Sequence, residues 1–263
     1  MKSNMLFFPG GFTPRMHSGS AVHPGGDRTS PGLRRANKMD GAPGQRALRA
    51  GVLSWRIPGI VLLLCSAVPA ENKDADILFR DGITLFYDAK PKESVAAFNK
   101  VIKALPKSAP QLWQRGLSLY YAEEFKEGRK QFELHQTVNP HDVENAAWHF
   151  ICVARAEGVE AARKALIPIE GDARVPMQQV HDLFAGKGTE EAVMKAAEKG
   201  EAGSEELRNQ LCYAHLYLGL YHEALGHGSK AKEHMLKAAN DYKMDHYMGK
   251  TAQVHAKLRG WEK

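Results

Sequence analysis

Histidine is the residue type in this sequence with the clearest capacity for chemistry, because several histidines on neighbouring helical turns can bind a metal ion. The segment 222–227, which reads HEALGH, imitates a zinc-protease helix, but its two histidines are five residues apart rather than four. Five residues span about 140° of a helix, so these two side chains cannot share a metal without unwinding the turn. His215 and His222 do share a face, with His246 or His255 as further candidates. A metal-dependent hydrolase built on these C-terminal histidines is therefore one alternative function, although helical histidines more often lie on the surface or in the core.

Other catalytic patterns are missing from the sequence. It contains no glycine-rich phosphate loop, no Cys-x-x-Cys pair and no Gly-x-Ser-x-Gly elbow. The neighbouring carboxylates Glu123 and Glu124 are most simply a solvated helix face. Cys152 and Cys212 lie in apolar helical settings, where a free cysteine behaves as a small hydrophobic residue, although an exported protein could pair them. The sequence therefore predicts a non-enzymatic protein with no catalytic residue, metal site or cofactor.

The elements that position these residues are indicated by an internal repeat. Three residues recur at a spacing of 34: Gly82 and Gly116, Phe98 and Phe132, and Pro106 and Pro140. A 34-residue period built from two helices is the signature of the tetratricopeptide (TPR) repeat. Ser94 and Gly128, twelve residues after each glycine, are small enough to mark a close helix crossing. We expect each phenylalanine to fill the gap to the next unit and each proline to end the second helix.

The repeat predicts an all-α TPR solenoid with an irregular helical insert and a C-terminal capping helix. Two regular units occupy residues 71–142, and a degenerate third unit, with Phe150 in place of the glycine, begins the segment 143–210. Within that segment Pro176 should open a short helix, while Thr189 and Ser204 resemble N-caps. A further unit and the capping helix occupy residues 211–263, and the recurring residues of that unit are Gly219, Ala231 and Met235. The final helix, predicted over 241–259, should cover the open end of the solenoid.

The N-terminal seventy residues differ from the rest in composition. Residues 1–50 are rich in Gly, Pro, Ser and Arg, which predicts a disordered or untranslated extension, with Met1 or Met39 as the start. Residues 51–70 have the basic, apolar and small-residue regions of a signal peptide, so the mature chain should begin at Glu71. An uncleaved anchor is one alternative. Lipidation of Cys65 is another, but Leu64 departs from the small residue that a lipobox requires before its cysteine.

The charge distribution argues against nucleic-acid binding. The chain has a formal net charge of +6, but residues 1–70 contain nine Lys/Arg and two Asp/Glu. The other 193 residues contain 27 basic and 28 acidic side chains. A nearly neutral body with mixed surface charge offers no basic stripe for phosphates. A protein or peptide is the expected partner, and a membrane only if Cys65 is lipidated.

The candidate binding site is a groove lined by the first helix of each regular unit. Positions three before, one after and four after the first-helix glycine usually face the concave side of a TPR array. In this sequence they are Phe79, Ile83, Phe86, Trp113, Leu117 and Tyr120. Carboxylate-clamp TPRs have Lys and Asn at several of these places, so an apolar segment is the expected ligand here. The other interpretation is that some of these side chains pack into the core.

Two local stretches carry a resemblance to a known family. They are Asp182-Leu183-Phe184-Ala185-Gly186, followed by Glu191 and Met194, and Tyr217-Leu218-Gly219-Leu220-Tyr221, followed by Leu225-Gly226. Together with the order of repeats, insert and capping helix, they resemble the NlpI-like TPR lipoproteins of Gram-negative bacteria. The resemblance implies an exported, often dimeric adaptor that brings peptidoglycan hydrolases and a processing protease together. The atypical sequence before Cys65 departs from that family's lipid anchor.

The sequence thus predicts an exported scaffold, located in the periplasm or cell envelope of a Gram-negative-type bacterium. Its partner would bind in the concave groove. The remaining alternative is a structural homodimer in which a second copy of the chain fills the groove.

Overall fold

A computed structural model describes residues 70–262, and all regular secondary structure in that range is helical. The predictions for the N-terminal extension, the signal peptide and Cys65 fall on residues before this range. None of the helices within it is long and apolar enough to cross a membrane. The α-helices are α1 (Ala70–Tyr87), α2 (Pro91–Ala104), α3 (Trp113–Tyr121), α4 (Phe125–Gln136), α5 (Val143–Glu157), α6 (Val159–Lys164), α7 (Met177–Phe184), α8 (Glu190–Ala197), α9 (Glu205–Ala224), α10 (Gly228–Leu236) and α11 (Tyr247–Leu258). A 3₁₀ segment (Pro106–Gln111) precedes α3, and a π turn (Lys237–Asp241) follows α10.

The first two helix pairs cross at their glycines. A Cβ atom placed on Gly82 would lie 2.8 Å from the ring of Phe98, and one placed on Gly116 would lie 2.5 Å from the ring of Phe132. Ser94, the small residue twelve positions after Gly82, also holds the crossing together, because its Oγ donates to the Gly82 carbonyl at 2.7 Å. Each aromatic ring therefore packs directly on the backbone of the helix before it. A side chain at either glycine would separate the two helices.

The turns between the paired helices also repeat. Ala89 and Glu123, each seven residues after the crossing glycine, have φ values of 61° and 65°. Gly226, seven residues after Gly219, has a φ of 76°. Only a few per cent of non-glycine residues adopt this left-handed conformation, so its recurrence at one position is a specific feature of the pairs. At the third crossing a Cβ on Gly219 would lie 3.0 Å from Met235 Cε.

The middle of the chain is helical but irregular. Almost every residue of α5 is buried, and α6 is only six residues long. Phe150 takes the place of the crossing glycine, and its ring lies 5.0 Å from that of Phe184 on α7. The predicted caps are confirmed, because Thr189 Oγ1 accepts from Ala192 N at 3.2 Å and Ser204 Oγ accepts from Leu207 N at 3.1 Å. The apolar side chains of α7 are buried as well: Met177, Val180, Leu183 and Phe184.

The last helix begins later than predicted and contacts more of the protein. The π turn and a short connection occupy residues 237–246, so α11 starts at Tyr247 rather than near Asp241. His246 caps it by accepting a hydrogen bond from Gly249 N at 3.2 Å. A Cβ at Gly249 would overlap the carbonyl group of Met244, so only glycine permits this close approach. The helix packs against α9, α10 and also α1, so it joins the C-terminal pair to the N-terminal one.

Candidate functional site

The six residues predicted to line a groove divide into two groups. Phe86, Leu117 and Tyr120 are fully buried. Phe79, Ile83 and Trp113 are partly exposed, and the ring of Phe79 packs edge-on against that of Phe98 at 5.8 Å. The six side chains therefore lie on two neighbouring helices, α1 and α3, but only three of them remain accessible to a ligand.

Tyr247, the first residue of α11, lies against the aromatic part of the predicted groove. Its ring stacks on Phe86 with centroids 5.5 Å apart and meets Trp113 edge-on at 4.7 Å. Tyr87 completes the group at 5.3 Å. Aromatic pairs at these distances contribute about 0.5–1.5 kcal/mol each beyond the burial of their surface. This part of the predicted groove is therefore occupied by the chain's own C-terminal helix.

A polar network fixes the far end of α11. Tyr121 Oη and His255 Nδ1 are 3.1 Å apart, and His255 Nε2 lies 3.0 Å from Glu223 Oε2. Arg259 Nε donates to Glu223 at 3.0 Å, and Arg155 Nη1 donates to the same carboxylate at 3.3 Å. Burial acts to raise the pKa of Glu223, but contacts with His255 and Arg259 outweigh it and lower the pKa to about 2. The network joins α3, α5, α9 and α11, and its buried histidine has no access to a substrate.

A second polar cluster contains histidines from α9 and α10. His215 Nδ1 and His234 Nδ1 are 2.8 Å apart, and His222 Nδ1 lies 3.3 Å from His227 Nδ1. The rings of His222 and His234 are nearly parallel, with centroids 5.7 Å apart. Glu190, the first residue of α8, places Oε1 3.1 Å from His222 Nε2. Four imidazoles and one carboxylate thus meet where the insert contacts the last helix pair.

The predicted pairing of the histidines is only partly reproduced. His215 and His222 do belong to one cluster, whereas His246 caps α11 and His255 lies in the Glu223 network. Sequence reasoning missed His234 and Glu190. His234 could have been found from the repeat, because it is one residue before Met235, which packs on Gly219 at the helix crossing. Glu190 comes from the irregular insert, where no period predicts its position.

Arg174 organises a third polar cluster that connects the loop before α7 to α5 and α9. Its guanidinium donates to Asp142 and Asp172 at 2.6 Å each and also contacts Glu144. Tyr217 Oη donates to the second oxygen of Glu144 at 2.9 Å. Burial raises the pKa of Glu144 to about 7, and the charge of Arg174 only partly offsets that effect. Three largely buried carboxylates therefore surround one half-buried cation, and their contacts fix the loop before α7 to α5 and α9.

The two cysteines of the body are both buried and unpaired. Burial raises the pKa of Cys212 to about 12, and it raises that of Cys152 as well. A thiol with a raised pKa is a poor nucleophile and a poor metal ligand at neutral pH. Cys152 Sγ instead lies 2.8 Å from where a Cβ on Gly128 would be, so it fills the space beside that glycine.

Buried and half-buried histidines make the stability of the fold depend on pH. Burial lowers the pKa of five of them, and the pKa of His215 falls to about 4. The five are His149, His215, His234, His246 and His255. Below about pH 6.5 the unfolded chain takes up protons at these groups while the folded chain does not, so the free energy of unfolding decreases. Glu144 acts in the opposite sense, because its raised pKa lets the folded chain bind a proton first.

We therefore expect the free energy of unfolding to fall between about pH 7 and pH 4, with His215 alone contributing about 2–3 kcal/mol of the loss. Urea unfolding at intervals across that range would measure it. His215→Gln should make the dependence on pH shallower, whereas His141→Gln, at an exposed position, should behave like the parent. A stability that stays constant over the range would contradict the assignment of these histidines as neutral core residues.

No protein-family model matches the sequence, and no curated protein matches it at a significant level. The predicted relation to repeat proteins therefore remains an inference from the internal period and from the helix-pair geometry described above.

Proposed function

We propose that this chain is a TPR-type scaffold, a non-enzymatic adaptor that binds a protein or peptide partner. The observation that supports it best is the recurrence of one helix-pair geometry three times. Each pair has a left-handed residue seven positions after the crossing glycine and an apolar side chain against that glycine sixteen positions after it. Arrays of such pairs serve mainly as binding surfaces. In keeping with the resemblance, we place the protein in the cell envelope as an exported NlpI-like adaptor.

The proposed contact surface is the part of the groove that α11 leaves accessible. Ile83 and Phe79 lie one turn apart on α1, are partly exposed, and precede the aromatic group around Tyr247. Trp113 extends the same strip on α3. An apolar or aromatic segment of a partner could continue the row of rings that Tyr247 begins. A few residues near the centre of an interface, most often Trp, Tyr and Arg, contribute most of the binding free energy.

A matched pair of isoleucines on α1 provides the test. Ile83 belongs to the proposed surface, whereas Ile77 is 57% exposed and lies outside the predicted groove positions. A photo-crosslinking amino acid at position 83 should yield a discrete adduct in the native envelope, and the same residue at position 77 should not. Ile83→Asp should then weaken binding of that partner by about tenfold or more, equivalent to about 1.4 kcal/mol.

Thermal melting of each variant separates binding from folding. Trp113→Ala is a poorer probe, because loss of the contact with Tyr247 should lower stability as well as binding. An adduct with a second copy of the chain would favour the structural homodimer. Equal crosslinking from positions 77 and 83, or none from either, would contradict the proposed surface.

A further inference from the structure

We propose that Glu190, His222 and His234 form a binding site for one divalent transition-metal ion of the Zn²⁺ class. The proposal goes beyond the scaffold function and does not depend on it. One ligand atom from each of these residues lies within 4.8 Å of the other two. The residues come from three different helices, α8, α9 and α10. A bound ion would therefore join the irregular insert to the last helix pair.

The distances are close to those that a metal ion requires. Zn²⁺ binds imidazole nitrogen at about 2.0–2.1 Å and carboxylate oxygen at about 2.0–2.2 Å, so tetrahedral ligand atoms lie about 3.4 Å apart. His222 Nε2 and Glu190 Oε1 are already 3.1 Å apart. The ligand atom of His234 lies within 4.8 Å of the other two, so small rotations of the three side chains within their present rotamers would bring them to that spacing.

An unsatisfied nitrogen points to the same place. His222 is almost completely buried, and within the described part of the chain its Nε2 has no well-aligned hydrogen-bond partner. The Glu190 oxygen is near enough to attract that nitrogen but does not lie along its N–H direction. A buried polar atom without a partner destabilises the fold. A metal ion between the nitrogen and the carboxylate would satisfy both.

Each of the two imidazoles has a second histidine against its other ring nitrogen, an arrangement that is common in metal proteins. His234 Nδ1 faces His215 Nδ1 at 2.8 Å, and His222 Nδ1 faces His227 Nδ1 at 3.3 Å. In each pair one ring must donate and the other accept, which holds the ring in place and leaves the opposite nitrogen available. Metal-binding histidines almost always have such a partner on their second nitrogen. His215 and His227 would therefore act as positioning residues.

The ligand chemistry selects the class of ion. Two imidazoles and one carboxylate suit Zn²⁺, Co²⁺ or Ni²⁺, whereas Ca²⁺ and Mg²⁺ prefer sites made of oxygen atoms alone. Three protein ligands leave one position of a tetrahedral ion for water. Lys230 Nζ lies 3.1 Å from the same Glu190 oxygen, and its side chain is 57% exposed. This lysine would compete with the metal and can turn away into solvent.

Metal binding to the purified full-length chain tests the proposal. After treatment with a chelator, titration with Zn²⁺ should show one tight equivalent, and Co²⁺ should give the visible absorption of a tetrahedral site. His222→Gln and His234→Gln should each weaken binding by about 100-fold, since outer partners alone typically contribute 10–100-fold. His141→Gln, at an exposed position, should bind like the parent. At a free Zn²⁺ concentration of about 100 times the Kd, the unfolding equilibrium should shift about 100-fold toward the folded state.

Two further measurements guard against variants that fail to fold. Lys230→Gln should bind Zn²⁺ as tightly as the parent or more tightly, because it removes the competing cation from Glu190. In the unaltered protein, Zn²⁺ should protect the partly exposed His234 from diethylpyrocarbonate, while the exposed His141 continues to react. Tight binding that persists in the double variant His222→Gln/His234→Gln, or Zn²⁺ that leaves the melting temperature unchanged, would overturn the proposal.

Discussion

Replacing Arg174 by methionine should lower the free energy of unfolding by about 2–3 kcal/mol, which is less than the full cost of breaking a buried ion pair because the Arg174 side chain is 35% exposed. The guanidinium contacts Asp142, Glu144 and Asp172, and the side chains of the last two are only 9% and 4% exposed. Without the cation, the three carboxylates would repel one another in a poorly solvated site. Urea unfolding at neutral pH would measure the loss.

A second arginine provides the control for this prediction. Arg129 also pairs with two carboxylates, Glu133 and Glu157, but these side chains are 46% and 43% exposed. Arg129→Met should therefore cost no more than about 1 kcal/mol. The loss in Arg174→Met should also shrink as the pH is lowered, because protonation relieves the repulsion between the carboxylates. Equal losses for the two variants would show that the Arg174 cluster contributes no more than a surface pair.

Gly116→Leu should destabilise the protein by about 3 kcal/mol, at the upper end of the usual cost of overpacking. A Cβ at this position would lie 2.5 Å from Phe132 Cζ. The Phe132 ring cannot withdraw easily, because it is fully buried and stacks near Trp148 with centroids 6.5 Å apart. Even alanine should be costly here. Chemical unfolding of both variants would measure the effect.

A compensating change would identify the cause of that loss. Phe132→Leu removes part of the ring that meets position 116, so Gly116→Ala combined with Phe132→Leu should cost less than the sum of the single changes. Gly200→Ala is the matched control, because a Cβ there meets Leu207 Cβ at an ordinary 3.5 Å. If Gly116→Leu unfolds at the same urea concentration as the parent, the crossing at Gly116 is not tightly packed.

Much of the local structure could be predicted from the sequence. The recurring Gly82 and Gly116 located two helix crossings, and Gly219 located a third. Thr189 and Ser204 marked helix starts that the structure confirms. These features are predictable because their contacts lie within one helix or between adjacent helices, where residue spacing fixes which side chains meet.

The accessible surface was harder to predict. Phe86, Leu117 and Tyr120 occupy groove positions of the repeat, yet they are fully buried in this chain. The repeat pattern gives the face of the helix on which a residue lies, but it does not say whether another element covers that face. Here Tyr247 of α11 covers part of it. The sequence predicts only that this helix covers the open end of the solenoid.

What the sequence determined by itself was the all-helical class and the crossings of the helix pairs; what only the tertiary structure decided was which distant elements meet. His255 reaches Tyr121 across 134 residues, and Arg174 joins Glu144 to the insert. Glu190 reaches His222 from a segment that follows no repeat. The course of the insert through the fold determines which residues it contacts. The 34-residue period does not extend through the insert, so it does not predict that course. The candidate metal site and the partial closure of the groove therefore follow from long-range packing rather than from residue spacing.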